Sequence, residues 1–153
     1  MKLQLTASLL CLALGACATT GLTTDQRRAL YESHAGAPVG YFQYFGSING
    51  WTPLGDSAIA VWTKPAQAYL LDLAGPCPDI EDTPVITVTN QNGRVYRNFD
   101  KVIARGRSTF EIPCPIKVIR PLDVKAIRSA EKTARDTPAQ AQSVAPPGSA
   151  TGT

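Results

Sequence analysis

The sequence predicts a mainly β protein: a small antiparallel barrel or sandwich with a short N-terminal helix, a C-terminal helix and one disulfide. Seven short runs rich in β-branched and aromatic residues lie between Val39 and Arg120, separated by Gly, Pro, Asn and Asp. Helix-start signals flank these runs on both sides. Two Pro-Cys-Pro triplets, centred on Cys77 and Cys114, are matched surroundings for a bridged pair. At 153 residues, the chain is long enough for one domain with a modest core.

Residues 1–16 are typical of a secretory signal peptide. Lys2 gives the segment a positive start, and residues 3–16 form a short, mostly apolar stretch. Fourteen residues of helix rise about 21 Å, which is less than the hydrocarbon core of about 30 Å. A permanent membrane span is therefore disfavoured.

The stretch ends in LGAC at Cys17, and this ending resembles the bacterial lipoprotein signal. In that signal, Leu and two small residues precede a cysteine that becomes the acylated first residue of the mature protein. The resemblance implies a lipid on Cys17 that anchors residues 17–24 to a membrane as a tether. Ala18 stands where an aspartate would indicate retention at the inner membrane, so we expect the periplasmic face of the outer membrane. The alternative is an ordinary signal cut near Ala16 or Ala18, which would leave Cys17 as a spare thiol.

A short helix is predicted after the tether. Thr23 and Gln26 form a capping-box pattern, so we expect a helix over about residues 25–34, with Gly36 as its stop. The expected apolar side of this helix consists of Leu22, Ala29 and Leu30.

The strand-like part of the β-rich periplasmic domain, residues 25–128, shows two useful patterns. Ile86 and Val88 alternate with threonines, as in a half-buried antiparallel strand, whereas residues 58–62 are apolar on both faces, as in a central strand. Asn49-Gly50 and Asn92-Gly93 are typical hairpin turns, because both turn positions favour positive φ.

A second helix is predicted from Asp123, with Val124 and Ile127 as its apolar side. Residues 129–153 hold the end of this helix and a tail. From Thr137 onward the tail has no aromatic or charged residue, so we expect it to be disordered.

The four cysteines divide between two tasks. Cys11 leaves with the signal peptide and Cys17 takes the lipid, so Cys77 and Cys114 remain as an even pair for an oxidising compartment. The sequence has no Cys-x-x-Cys for thiol exchange and a single histidine, His34, which disfavours a metal site. A structural disulfide is the prediction.

Charge and motifs argue against nucleic-acid binding and against catalysis. The formal charge is +3, and removal of Lys2 with the signal peptide leaves +2, which is too little for a nucleic-acid footprint. No Gly-x-Ser-x-Gly turn accompanies His34. Two carboxylate pairs could serve a hydrolase, although such residues are more typical of solvated loops; they are Asp79 with Asp82 and Asp100 with Glu111.

Residues 36–128 contain the segments AGAPVGYF, GWTPLGDSAIAVW, AYLLDLAGPCPDI, GRVYRNFDKV and IPCPIKVIRPLDVKAIR. They resemble an uncharacterised family of proteobacterial lipoproteins and periplasmic proteins, common in xanthomonad-type bacteria, that carries a domain-of-unknown-function label. The resemblance implies the β-rich domain and the pairing of Cys77 with Cys114. It implies no activity, cofactor or catalytic residue.

The sequence thus favours a lipid-anchored periplasmic module with a non-catalytic binding, scaffolding or envelope-maintenance role. Its expected partners are the membrane, through the lipid on Cys17, and an envelope protein, with no cofactor, metal or nucleic acid. Trp51, Trp62 and Tyr69 are the candidate binding surface, although all three also suit a β core. The alternatives are a small-ligand carrier that uses the barrel mouth and a hydrolase that uses a carboxylate pair.

Overall fold

The computed structural model of the protein describes residues 21–105 and 111–136, so the predicted signal peptide, Cys17 and the tail lie outside the described residues. The predicted class is confirmed: the described chain is mainly β, with a sheet curled into a half-barrel, two helices and a disulfide. Its elements are α1 (Thr24–Ser33), β1 (Tyr41–Gln43), β2 (Gly50–Pro53), β3 (Ala58–Lys64), β4 (Gln67–Leu73), β5 (Ile86–Val88), β6 (Arg94–Tyr96), β7 (Lys101–Ala104), β8 (Pro113–Leu122) and α2 (Val124–Asp136).

Strand β8 joins the two halves of the main sheet, whose strand order is β2-β3-β4-β8-β7-β5. Residues 116–122 of β8 pair with β4, whereas residues 113–115 pair with β7. Between these stretches Asp72 lies opposite Val118 and Leu73 opposite Ile116, so Lys117 is an extra residue. A bulge of this kind bends a strand and increases its twist, which explains why the sheet curls here.

Strands β3 and β4 are buried on both faces, as predicted for a central strand at residues 58–62. The buried side chains form two clusters, which we call the first and the second core. Ile59 and Leu71 lie in the first core, which also contains Val88 from the far edge of the sheet and therefore fills the concave side. Ala60 and Leu70 lie in the second core, on the face that carries the helices. Successive side chains of each strand therefore pack alternately into the first and the second core.

A two-stranded ribbon of β1 and β6 closes the concave side. Phe42 pairs with Val95 in the ribbon, and both side chains are buried in the first core. The Phe42 ring stacks on Tyr69 of β4, with 4.6 Å between the ring centroids. The ribbon is therefore held to the sheet by packing of aromatic rings.

One predicted hairpin turn is confirmed and the other is wrong. Asn92 and Gly93 have φ of 49° and 76°, and Gln91 bridges Arg94 across them, as in a type I′ turn. Gly50 instead belongs to β2 and pairs with Trp62. The β2–β3 turn forms later, at Gly55, whose φ of 93° meets the same need for positive φ.

Helix α1 forms as predicted to within one residue at each end, but its packing differs in part. The Thr23–Gln26 capping box is present, and the helix ends at Ser33 with His34 as its C-cap. Leu30 packs against the second core, as predicted, whereas Ala29 is exposed. Tyr31, which was not among the predicted apolar residues, is the buried anchor at 1% exposure.

Helix α2 begins after Asp123, whose Oδ1 accepts a hydrogen bond from the Ala126 amide at 3.0 Å. Val124 and Ile127 are buried, as predicted. The Tyr31 hydroxyl donates to Glu131 Oε1 at 2.9 Å and so links α1 to α2. Within the described residues, neither helix is long and apolar enough to cross a membrane.

The predicted disulfide is confirmed between Cys77 and Cys114, 37 residues apart in sequence. Cys77 is 2% and Cys114 5% exposed, so the bridge lies in the first core. It connects the loop after β4 to the start of β8.

We expect removal of this bridge to lower the free energy of unfolding by about 4 kcal/mol in the chain-entropy model, because it closes a loop of about 38 residues in the unfolded chain. The measurement is urea unfolding of the wild type, with and without reductant, and of a Cys77→Ala/Cys114→Ala variant. Reductant should have no effect on the variant. Equal midpoints for the oxidised wild type and the variant would contradict a stabilising role.

We expect the Tyr31–Glu131 link to make stability fall at high pH. Burial, together with the hydrogen bond to Glu131, raises the pKa of Tyr31 above its usual value. Its contribution is therefore complete below the unfolded pKa of about 10 and declines above it, by about 1.4 kcal/mol per pH unit, until the folded group ionises. Tyr31→Phe should lower the free energy of unfolding by about 1 kcal/mol near neutrality and remove this component of the decline.

Urea unfolding between about pH 8 and pH 11 measures both effects. Tyr41→Phe, at an exposed position, is the matched control. If the difference between wild type and Tyr31→Phe stays constant across this range, the assignment to Tyr31 is wrong.

Candidate binding groove

Two of the three candidate binding residues, Trp51 and Trp62, line one groove, although they project from opposite faces of the sheet. Trp51 lies opposite Val61, which lies opposite Tyr69, so Trp51 and Tyr69 project from the same face of the sheet. Trp62 projects from the other face, toward the helices. Tyr69 packs against Phe42 and accepts a hydrogen bond from Gln67 Nε2 at 2.9 Å, away from the groove.

The groove lies at the edge of the sheet, where β2 is the first strand, and it has a volume of about 400 Å³. We call it the β2-edge groove. Its lining consists of Asn49, Gly50, Trp51, Thr52, Trp62, Pro65 and Arg128. None of these seven described residues carries a carboxylate, so Arg128 gives the groove a positive charge.

Trp62 is fixed by the helices. Its ring meets the buried Tyr31 ring edge to face, with 6.1 Å between centroids and 81° between planes. Such pairs contribute about 0.5–1.5 kcal/mol beyond the apolar area that they bury. The indole is therefore presented to the groove in one orientation while part of it remains exposed.

Arg128 is held at the rim of the groove by α2. It lies one turn before Glu131, which binds the Tyr31 hydroxyl, so the same link that joins the helices sets the position of Arg128. The Arg128 guanidinium donates to the Pro65 carbonyl in the β3–β4 turn. A guanidinium has five N–H donors, so others remain available to a ligand.

Sequence reasoning does not single out Arg128, because one basic residue on the polar side of a helix is unremarkable without the sheet beside it. The same holds for Phe45, which is 73% exposed in the loop before β2. Lys64 Nζ lies 5.7 Å from the centroid of the Phe45 ring, as in a cation–π contact. Aromatic rings and cations thus extend from the groove along the same end of the molecule.

Asp100 and Glu111, one of the two carboxylate pairs, are each engaged in contacts within the fold. Asp100 is 1% exposed; its Oδ1 accepts from Thr89 Oγ1 and its Oδ2 from the Tyr96 amide, both at 2.7 Å. Glu111 is half-exposed and lies 3.5 Å from Arg105 Nε. In the described ranges, no three His, Cys, Asp or Glu residues form a group that could hold a metal ion.

The other pair and the histidine are also explained by backbone contacts. The Asp79 carbonyl accepts from the amides of Asp82 and Thr83, so this pair belongs to a tight turn. His34 Nδ1 lies 2.9 Å from the Leu30 carbonyl oxygen, at the C-terminus of α1. A hydrogen on Nδ1 would cap that carbonyl.

No curated protein and no solved structure matches the chain. A protein-family model does match it, over residues 1–138, which include the whole described domain and the segment around Cys17. The chain therefore belongs to this family, whose description is "Family of unknown function (DUF6491)".

Proposed function

We propose that the protein is a lipid-anchored module on the periplasmic face of the outer membrane, with a non-catalytic role in binding an envelope partner. The observation that carries the binding role is the β2-edge groove. It combines two partly exposed tryptophans, one cation and a strand edge that no other strand of the described residues pairs with. Aromatic residues and arginine dominate the energetics of protein interfaces, so this combination is suited to recognition.

Two independent features support the location. The LGAC sequence follows a positively charged start and a short apolar stretch, in the pattern of a lipoprotein signal. The buried Cys77–Cys114 disulfide is typical of proteins that fold in an oxidising compartment such as the periplasm. The bilayer would hold the lipid of Cys17, and the periplasm would supply the oxidant that forms the Cys77–Cys114 disulfide.

The groove lies at the end of the sheet opposite to the start of α1. Thr24 lies near Gly55 in the β2–β3 turn, whereas Trp62 and Pro65 lie at the other end of the β3–β4 hairpin. Strand β3 spans about 20 Å between these ends. Three residues separate Cys17 from Gly21, so a lipid on Cys17 would be tethered to the end of the domain that does not carry the groove.

The interior of the half-barrel favours surface binding over the carrier alternative. Its concave side is filled by side chains with no exposure, including Ile59, Leu71, Ile116 and Ile119. A carrier needs an enclosed space of several hundred Å³, and a packed core occupies that volume. The hydrolase alternative is disfavoured because Asp100 is buried with both oxygens bonded.

We expect Cys17→Ala to abolish acylation and to release the protein from the membrane. Two or three acyl chains on Cys17 anchor a protein stably, whereas the variant has none. The measurements are incorporation of labelled palmitate and fractionation into membrane and soluble pools. Label retained by the variant would contradict acylation at this cysteine.

Ala18→Asp is the companion variant for the choice of membrane. It should remain acylated and should move from the outer to the inner membrane fraction. An unchanged distribution would count against sorting by the residue after Cys17.

We expect a benzophenone amino acid in place of Asn49, an exposed residue of the groove, to cross-link a discrete partner in intact cells. The same amino acid in place of Lys117, an exposed residue on β8, is the control and should not capture that partner. Addition of Trp51→Ala should abolish the product. A product of equal yield from both positions, or its persistence in the Trp51→Ala background, would contradict binding at the groove.

A further inference from the structure

The outer edge of β2 offers backbone groups for pairing. The Leu54 amide donates to the Ala58 carbonyl at 2.9 Å. Because backbone groups alternate in direction along an antiparallel ladder, the N–H and C=O of Thr52 point toward β3, and those of Trp51 point to the outer edge. No strand of the described chain pairs with that outer edge. The Trp51 N–H and C=O can therefore each bond an added chain.

Pro53 limits the length of such pairing. It is the last residue of β2 and has no amide hydrogen, so an added strand finds a donor at Trp51 but none at Pro53. The available edge consequently fits a segment of a few extended residues rather than a long strand. Affinity and specificity must then come largely from side chains that reach the groove.

The two tryptophans lie where the side chains of such a segment would fall. Successive side chains of an extended strand point to opposite faces of the sheet. Trp51 projects from one face of the β2 edge, and Trp62 with Arg128 lies on the other. A strand added beside β2 would therefore place alternate side chains against Trp51 and against the Trp62–Arg128 side.

The charge of the groove selects among such segments. Arg128 is exposed and is the charged residue of the lining. It also lines the adjacent depression with Lys125 and Asp123, and one oxygen of the Asp123 carboxylate is engaged by the Ala126 amide. Guanidinium groups bind carboxylates through paired, charge-assisted hydrogen bonds. A second copy of this chain paired edge to edge would instead bring two cationic groove faces together, which is unfavourable.

We infer that the β2-edge groove binds a short extended polypeptide segment by strand addition, with a carboxylate of that segment on Arg128. This inference rests on the proposed binding function and deepens it by stating the chemistry of the partner. The backbone of Trp51 supplies the pairing, the two indoles supply the apolar contact, and Arg128 supplies the selection for acidic side chains. Strand addition with side-chain pockets is an established mode of peptide recognition.

The test uses the purified full chain and a bead library of acetylated, amidated pentapeptides with Glu or Gln at the central position. We expect Glu peptides to be recovered with about tenfold preference over their Gln counterparts, as a charge-assisted hydrogen bond predicts. Arg128→Gln should abolish this preference, and the matched control Lys117→Gln should leave it intact. Circular dichroism verifies that each variant is folded.

A second measurement reports the geometry of pairing. N-methylation of the recovered peptide at the residue opposite Trp51 should weaken binding at least tenfold, because it removes one ladder hydrogen bond and blocks close approach. Hydrogen exchange should show new protection of the Trp51 amide on peptide binding. Equal binding of the methylated peptide, or equal recovery of Glu and Gln peptides, would overturn the inference.

Failure of this inference is distinguishable from failure of the proposed function. If no library peptide binds while cross-linking at position 49 still captures its partner, strand addition is wrong and the binding role stands. If the full chain instead self-associates, and a Trp51→Ala variant does not, the occupant is a second copy and the inference is overturned.

Discussion

The backbone pairing of β8 is the interaction on which the rest of the structure depends. This strand pairs with β4 along residues 116–122 and with β7 along residues 113–115. On the same edge as β7, farther along β8, the amides of Gly36 and Val39 donate to the carbonyls of Pro121 and Ile119. One strand thus fixes both halves of the sheet and the chain that leads from α1 into the ribbon, and the bulge at Lys117 sets the curl between them.

Features that depend on a few neighbouring residues were predictable from the sequence. The capping box at Thr23 and the cap at Asp123 are local hydrogen bonds, and the type I′ turn at Asn92-Gly93 requires only residues that tolerate positive φ. The matched Pro-Cys-Pro triplets similarly indicated the Cys77–Cys114 bridge.

Features that depend on strand pairing were not predictable. Strand β2 has four residues, of which Gly50 and Pro53 are poor strand formers, and it exists because it pairs with β3. The faces of the tryptophans follow from register: Trp51 lies opposite Val61, so Trp62 is one residue out of step and projects to the other side. A single surface containing Trp51, Trp62 and Tyr69 would require β3 to shift by one residue against both β2 and β4.

The same register leaves β2 with an edge that is protected from self-association and suited to an acidic partner strand. An open strand edge beside exposed indoles invites association with other copies of the chain, and proteins commonly protect such edges by shortness, proline and charge. All three protections are present here, in the four-residue length of β2, in Pro53 and in the guanidinium of Arg128 beside Trp62. The cation disfavours pairing between identical cationic edges, yet the same cation favours a strand that brings a carboxylate. The feature that keeps the edge from self-association is therefore the one that would confer selectivity for a partner.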